Sequence, residues 1–301
     1  MTSLHHILAA SDFSTGAGDA VSRASKIASL TGAQLDLIHV INQPALAQLC
    51  NLIGRGGAAA KAKLIDDARH ELRKLATRLG KKEGIKIDYS AVTGNVVTTL
   101  LEKADARDSQ LIVLGEHGQG SALHPLLLGS TSERLLRHSR RPILIVKKAP
   151  QQAYRRVLVP LDFSAWSAPT LQLARHVAPD AEIILLHAFE APFEGKLRYA
   201  GVDEETIERY QANTRIEALH RLHDLATAAG LDTNPALLHV AHGDISRTIL
   251  DEEEHRDCDL IVMGKHGQAI LEDLLLGSVT KQILAQSHAD ILVAAGAGGP
   301  A

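Results

Sequence analysis

The chain states one pattern twice, and an internal duplication constrains a fold more than composition does. The run GEHGQGSALHPLLLGSTSERLLRHSRRPILIV, opening at Gly115, returns from Gly264 as GKHGQAILEDLLLGSVTKQILAQSHADILVAA. The openings of the halves match too, HILAASDFS over His6–Ser14 and RVLVPLDFS over Arg156–Ser164. Two copies of one unit are implied, and each is a control for reading the other. The 301 residues divide into two domains of common size, expected at 1–148 and 153–297 and joined through Lys147–Gln152.

Within each half, strand-like and helix-like stretches alternate. In the first, His6–Ala10, Leu35–Ile41, Ile87–Val92, Leu111–Gly115 and Pro142–Val146 read as strands, and Ala17–Leu30, Ala59–Leu79, Val96–Ala106 and Ser130–His138 as helices. The second repeats the order, with strands at Arg156–Leu161, Glu182–Phe189, Ala236–Val240, Leu260–Gly264 and Ile291–Ala294. Its helices are expected near Ser167–Val177, Asp203–Ala229, Ile245–His255 and Ser278–Gln286. Short, wholly apolar strands such as LIVMG suit a parallel sheet covered on both faces. Strand–helix alternation gives right-handed crossovers. The fold class predicted is α/β: two doubly wound, Rossmann-like, parallel five-stranded sheets in a pseudo-twofold tandem repeat. Ser14 and Ser164 are expected helix N-caps, and Gly32, Gly84 and Gly230 stand where helices stop. Asn42–Gly57 and Glu190–Gly201 read as less regular segments, either lids or plain loops.

The remaining bulk features narrow the classes. No apolar run reaches the roughly 18 residues of a membrane span, and the first residues read as a strand rather than a signal peptide. Cys50 and Cys258 form no framework or paired motif, so a cytoplasmic setting is expected. Residues 1–150 carry 20 Lys and Arg against 13 Asp and Glu, a net +7; the rest carry 12 against 22, a net −10. That asymmetry is either drift on solvated faces or a field that helps the halves dock. Aromatics are few and no basic stripe appears, so a nucleic-acid partner is not expected.

The chemistry lies at strand ends. In a doubly wound sheet, ligands bind beyond the carboxyl ends of the strands where the strand order reverses. If the first and fourth strands of each half are neighbours, the Asp after the first meets the glycine-rich loop after the fourth. Glycines let backbone N–H groups approach an anion, and Gly277–Ser278 then opens a helix whose first N–H groups are free for one.

With these motifs in place, the chain resembles the universal stress protein family in its tandem two-domain form, over nearly all of both halves. The most specific likeness is the family's ATP-binding pattern, Gly-x2-Gly-x9-Gly-Ser/Thr, met by Gly264, Gly267, Gly277 and Ser278. The resemblance implies an adenine nucleotide alpha hydrolase-like fold and an adenine contact by Asp162, flanked by Pro160 and Leu161. It also implies pocket positions at Ala188, Met263, Val279 and Thr280. Lys265 and His266, inside the loop, complete the candidate set. The implied ligand is ATP, or AMP or ADP, with Mg or Mn as a possible companion, and hydrolysis is slow or absent.

The first half departs from this pattern. Ten residues, not nine, separate Gly118 from Gly129; Glu116 replaces Lys265; and Ala10–Ser11 replaces Pro160–Leu161. The corresponding weaker site is Asp12, Val40, Gly115, Gly118, Gly129, Ser130 and Thr131. A carboxylate beside a triphosphate repels and an ammonium attracts, so nucleotide is expected chiefly in the second half, with Lys265 on a phosphate.

Plainer readings stand beside these. Asp162 serves adenine recognition or only caps a helix. His117 and His266 touch phosphate or brace the loop. Met263 packs on adenine or fills core. His39 and His187 are expected as packed or loop-anchoring groups. The pairs His220/His223 and His239/His242 lack a third ligand at zinc spacing, so no metal site is assigned. No nucleophile elbow, Walker lysine pattern or HExxH motif is present, and no catalytic residue is assigned. A nucleotide-binding regulatory module, a slow ATP hydrolase and a stress-induced interaction protein without ligand remain open, as do a homodimer and a protein partner. The last strands, Pro142–Val146 and Ile291–Ala294, are apolar edges that need cover, and an intrachain pseudo-dimer in which they cover each other is expected.

Overall fold

The computed structural model describes residues 4–118, 129–190, 199, 202–231, 234–265 and 276–294. In the first repeat the strands are β1 (His6–Ala10), β2 (Gln34–Asn42), β3 (Ile87–Gly94), β4 (Leu111–Gly115) and β5 (Ile143–Val146). Its helices are α1 (Thr15–Thr31), α2 (Gln43–Ile53), α3 (Gly57–Glu83), α4 (Val96–Ala106) and α5 (Ser130–His138). In the second, the strands are β6 (Arg156–Pro160), β7 (Glu182–Phe189), β8 (Leu238–His242), β9 (Leu260–Gly264) and β10 (Asp290–Ala294). The helices described there are α6 (Ser167–Val177), α7 (Glu204–Ala228), α8 (Ile245–His255) and α9 (Ser278–Gln286).

The chain divides into two compact units. One runs from Tyr154 to Ala289; the other joins the residues up to Ala153 with the final strand β10. In the first-repeat unit the strand order is β3-β2-β1-β4-β5-β10. β1 to β5 run parallel, and β10 runs antiparallel beside β5, with Ile291 opposite Ile145 and Val293 opposite Ile143. β5 is buried along its whole length, so without β10 its outer edge would expose apolar side chains and unpaired backbone together. In the other unit the order is β9-β6-β7-β8, again parallel. In both, the first and fourth strands of the repeat are neighbours, which sets the switch point between them. The central strands are dry: Ile7, Leu111, Ile112, Val113, Val157, Leu260 and Val262 are each 0 % exposed.

The caps follow local chemistry. Ser14 accepts the Ala17 N–H at 3.2 Å and starts α1, and Gly32 and Gly84 end α1 and α3 in the left-handed region. Two sequence expectations are corrected. The stretch after β2 is helical, not irregular: Asn42 accepts the Ala45 N–H and Pro44 sits in the first turn, where it costs no helix bond. Its counterpart after Glu190 lies largely outside the described residues. Ser164 does not cap α6. Its hydroxyl accepts the Trp166 N–H at 3.3 Å, a separate turn forms, and the helix begins at Ser167 with no side-chain cap.

Candidate nucleotide site

Each site begins with an unusual turn. Phe13 and Phe163, next after the strand-end aspartates, have φ of 64 and 61°, a region that non-glycine residues enter at a cost. The aspartate secures the turn: Asp12 accepts the Ser14 N–H at 3.0 Å, and Asp162 accepts the Ser164 N–H at 2.9 Å and the Ser167 hydroxyl at 3.3 Å. Each Phe ring lies on a histidine, Phe13 on His39 at 4.5 Å and Phe163 on His187 at 4.3 Å. Those imidazoles bond the carbonyl before the aspartate: His39 with Ser11 at 2.8 Å, His187 with Leu161 at 2.7 Å. The anchoring role expected for both histidines is what the structure shows. The Arg221 guanidinium sits 4.0 Å from the Phe163 ring centre.

Burial, with the nearby Arg221 charge, holds the His187 imidazole below its ordinary value of 6.5 against the opposing Leu161 hydrogen bond and Asp162 charge. A lowered folded-state value means stability is full above the unfolded value and is lost as pH falls below 6.5. Ring-proton NMR is expected to place the His187 midpoint below 6.5, and a midpoint above it would contradict this packing.

Across the switch point, the glycine loops are closed at their bases in the same way. The Gly129 N–H donates to the Glu116 carbonyl at 3.0 Å and the Gly277 N–H to the Lys265 carbonyl at 3.1 Å. The Ser132 hydroxyl donates to the Gly115 carbonyl, and the Thr280 hydroxyl to the Gly264 carbonyl, each at 3.1 Å. Helices α5 and α9 then start at Gly129 and Gly277 with no side-chain cap, leaving first-turn N–H groups for a ligand or solvent.

In the second repeat, a cleft of about 480 Å³ gathers most of the residues expected from sequence: Pro160, Leu161, Asp162, Ala188, Met263, Gly264, Gly277, Ser278, Val279 and Thr280. His266 and Gly267 lie outside the described residues. Sequence reasoning missed Trp166, Phe189, Ile245 and Ile249, which add apolar wall, and the carboxylate of Glu190. Ile245 and Ile249 share a face of α8, a spacing that the sequence carried. Asp162 both holds its turn and lines the cleft. The Thr280 hydroxyl is committed to Gly264. In the first repeat a cleft of about 210 Å³ is lined by Asp12, Val40, Gly115, Gly118, Gly129, Ser130 and Thr131, together with His39 and His117.

The two residues of the charge argument stand apart from the cleft linings. Lys265 is buried, 6 % exposed, and is not among the residues lining the cleft. Glu116 is held by the Lys147 ammonium at 2.9 Å and by His117 Nδ1 at 3.4 Å, and does not line its own cleft. The two clefts also differ in size. Small-molecule clefts run roughly 300–1,000 Å³; the second cleft falls within that range and the first below it. Lys265→Glu is therefore expected to lower the melting temperature and weaken ATP and adenosine alike, measured by calorimetry on both ligands. A selective loss of ATP would return Lys265 to the phosphates.

His239 Nε2 meets Glu252 at 3.0 Å, and among the described residues no group of three His, Cys, Asp or Glu is placed to hold an ion. No helix among them is long and apolar enough to cross a membrane.

The universal stress protein family model matches residues 3–147 and again 153–295. A universal stress protein of Mycobacterium tuberculosis is 26 % identical over 260 residues, covering 82 % of this chain and 77 % of its own. Another, of Mycolicibacterium smegmatis, is 26 % identical over 315 residues, covering 95 % and 96 %. The crystal structure of a universal stress protein from Archaeoglobus fulgidus matches with a TM-score of 0.69 at 20 % identity, over 96 % of this chain and 98 % of that one. A functionally unknown protein from Pseudomonas aeruginosa matches at 0.62 and 19 %, over 96 % and 92 %. Those two structural likenesses concern the fold alone. Both halves of this duplicated α/β chain match one family model, and the chain belongs to the universal stress protein family.

Proposed function

We propose that the protein is a stress-response regulator that binds an adenine nucleotide, ATP or its ADP and AMP relatives, in the cleft of its second repeat, and that it acts in the cytoplasm as two tandem domains, 1–148 and 153–297. The observation that carries this reading is one cleft of about 480 Å³ joining Asp162, Met263 and the uncapped start of α9. A carboxylate suits the exocyclic amine of adenine, a polarizable thioether suits a flat ring, and free N–H groups at a helix start suit phosphate.

The electrostatics favour a particular form of ligand. Asp162 and Glu190 line the cleft, and no Lys or Arg does among the described residues. A triphosphate is therefore best received as its Mg or Mn complex, the ion riding on the phosphates rather than in a protein cage. In the first repeat a Cβ on Gly118 would stand 2.6 Å from Asp12 Oδ2, so Gly118 lies close against the carboxylate that would meet a base. Among the described residues no general base is assigned, and slow hydrolysis is the second reading. Native mass spectrometry of the full chain with ATP and Mg is the test. One nucleotide per chain is expected, and none, or two held equally, would overturn the reading. Phosphate release from the same sample separates binder from slow hydrolase.

A further inference from the structure

The two repeats diverge where their first helices begin. Gly16 and Trp166 hold the same place, four residues after the strand-end aspartate. In the first repeat α1 starts early, at Thr15, and its opening presses on the glycine loop. A Cβ on Gly16 would stand 3.1 Å from the His117 carbonyl oxygen, and a Cβ on Gly115 would stand 2.7 Å from the Gly16 carbonyl carbon. Backbone meets backbone there because glycine sits on both sides, and the cleft left is about 210 Å³.

In the second repeat an indole takes the place of Gly16. Helix α6 starts only at Ser167, and Trp166, half-buried, joins Ser167 and Thr170 along a cleft of about 480 Å³. Of the matching Gly16, Ala17 and Ala20, only Ala17 lines the first cleft. We propose that the Trp166 ring, which lines the second cleft, forms part of the wall touched by bound nucleotide and is a further binding residue of the site. The proposal rests on the reading of that cleft as a nucleotide site. An indole offers a broad apolar face to a flat base or a sugar.

Trp166 is the chain's single tryptophan, so its emission reports on this position alone. The full chain titrated with ATP and Mg, followed in parallel by tryptophan emission and calorimetry, is expected to give matching midpoints. Trp166→Gly is expected to weaken binding about tenfold, and Trp166→Phe to recover most of it. Trp166→Leu replaces the glycine variant if that one does not fold. Emission that stays flat while calorimetry records a site that Gly277→Asp removes would overturn the role of Trp166 and leave the nucleotide site standing, as would a folded Trp166→Gly protein that binds like wild type. Calorimetry with no saturable binding in the wild type would overturn the nucleotide reading, and this proposal with it.

Discussion

Replacing Asp290 by alanine is expected to destabilise the protein by about 3–5 kcal/mol, the usual cost of removing one partner of a buried ion pair. Asp290 opens β10 and its side chain is 1 % exposed. One carboxylate oxygen accepts the Arg23 Nε–H at 3.1 Å, and the other accepts the Lys147 N–H at 2.8 Å. Arg23 is itself 7 % exposed and donates to the Gln152 carbonyl at 2.8 Å. Truncation would remove the carboxylate that the buried guanidinium meets at 3.1 Å and take away an acceptor for the Lys147 N–H just past β5. Asp290→Asn keeps an oxygen for Lys147 and is expected to cost less. Replacing both Arg23 and Asp290 with apolar residues is expected to recover part of the loss, because the cost lies in the uncompensated charge. Urea unfolding of the full chain is the measurement. A loss below about 1 kcal/mol for Asp290→Ala, the scale of a surface pair, would show that the latch on β10 carries little.

The second large effect concerns the ligand. Gly277→Asp is expected to weaken ATP binding by about a hundredfold, since a like charge set against a bound anion costs several kcal/mol. The same change at Gly129 is expected to leave ATP binding intact. Gly277 caps α9 at φ −57° with no side-chain bond, so an aspartate fits that backbone and takes the first-turn N–H groups for itself. Aspartate is a favoured N-cap, and the variant is expected to fold with full stability. Thermal unfolding and calorimetry on one sample separate the two effects. A variant that melts early would leave its binding loss uninterpreted as site chemistry, and Gly277→Ala, which removes no N–H group, is then the comparison.

Much of the fold was legible because the chemistry is repetitive. The apolar runs of β4 and β9, and the Asp-Phe-Ser turns after β1 and β6, are written twice. The errors came where one residue type serves two purposes. Asn42–Gly57 reads as a less regular segment, yet an asparagine cap and a proline in the first turn also begin a helix, and they begin α2. Ser164 matches Ser14 in sequence but turns its hydroxyl to Trp166 instead of capping α6. Lys265 and Glu116 read as opposed charges at a phosphate, because a position in a repeat carries no side-chain direction; neither is among the residues that line the clefts. Gly16 against Trp166 was visible in the repeat, but its meaning depended on how closely α1 lies on the loop. Which edge β10 covers was an expectation from its apolar sequence, and its pairing with β5 supplies the register that sequence lacked.

Hydrogen exchange with and without ATP and Mg, read by mass spectrometry on the full chain, tests the central claim that the second repeat carries the nucleotide site. Protection is expected in the peptides that contain Asp162–Ser164, Ala188–Glu190 and Gly277–Lys281. The matching first-repeat peptides, containing Asp12–Ser14, Gly115–Gly118 and Gly129–Ser132, are expected to exchange unchanged. Equal protection in both sets, or protection in the first set alone, would contradict the account.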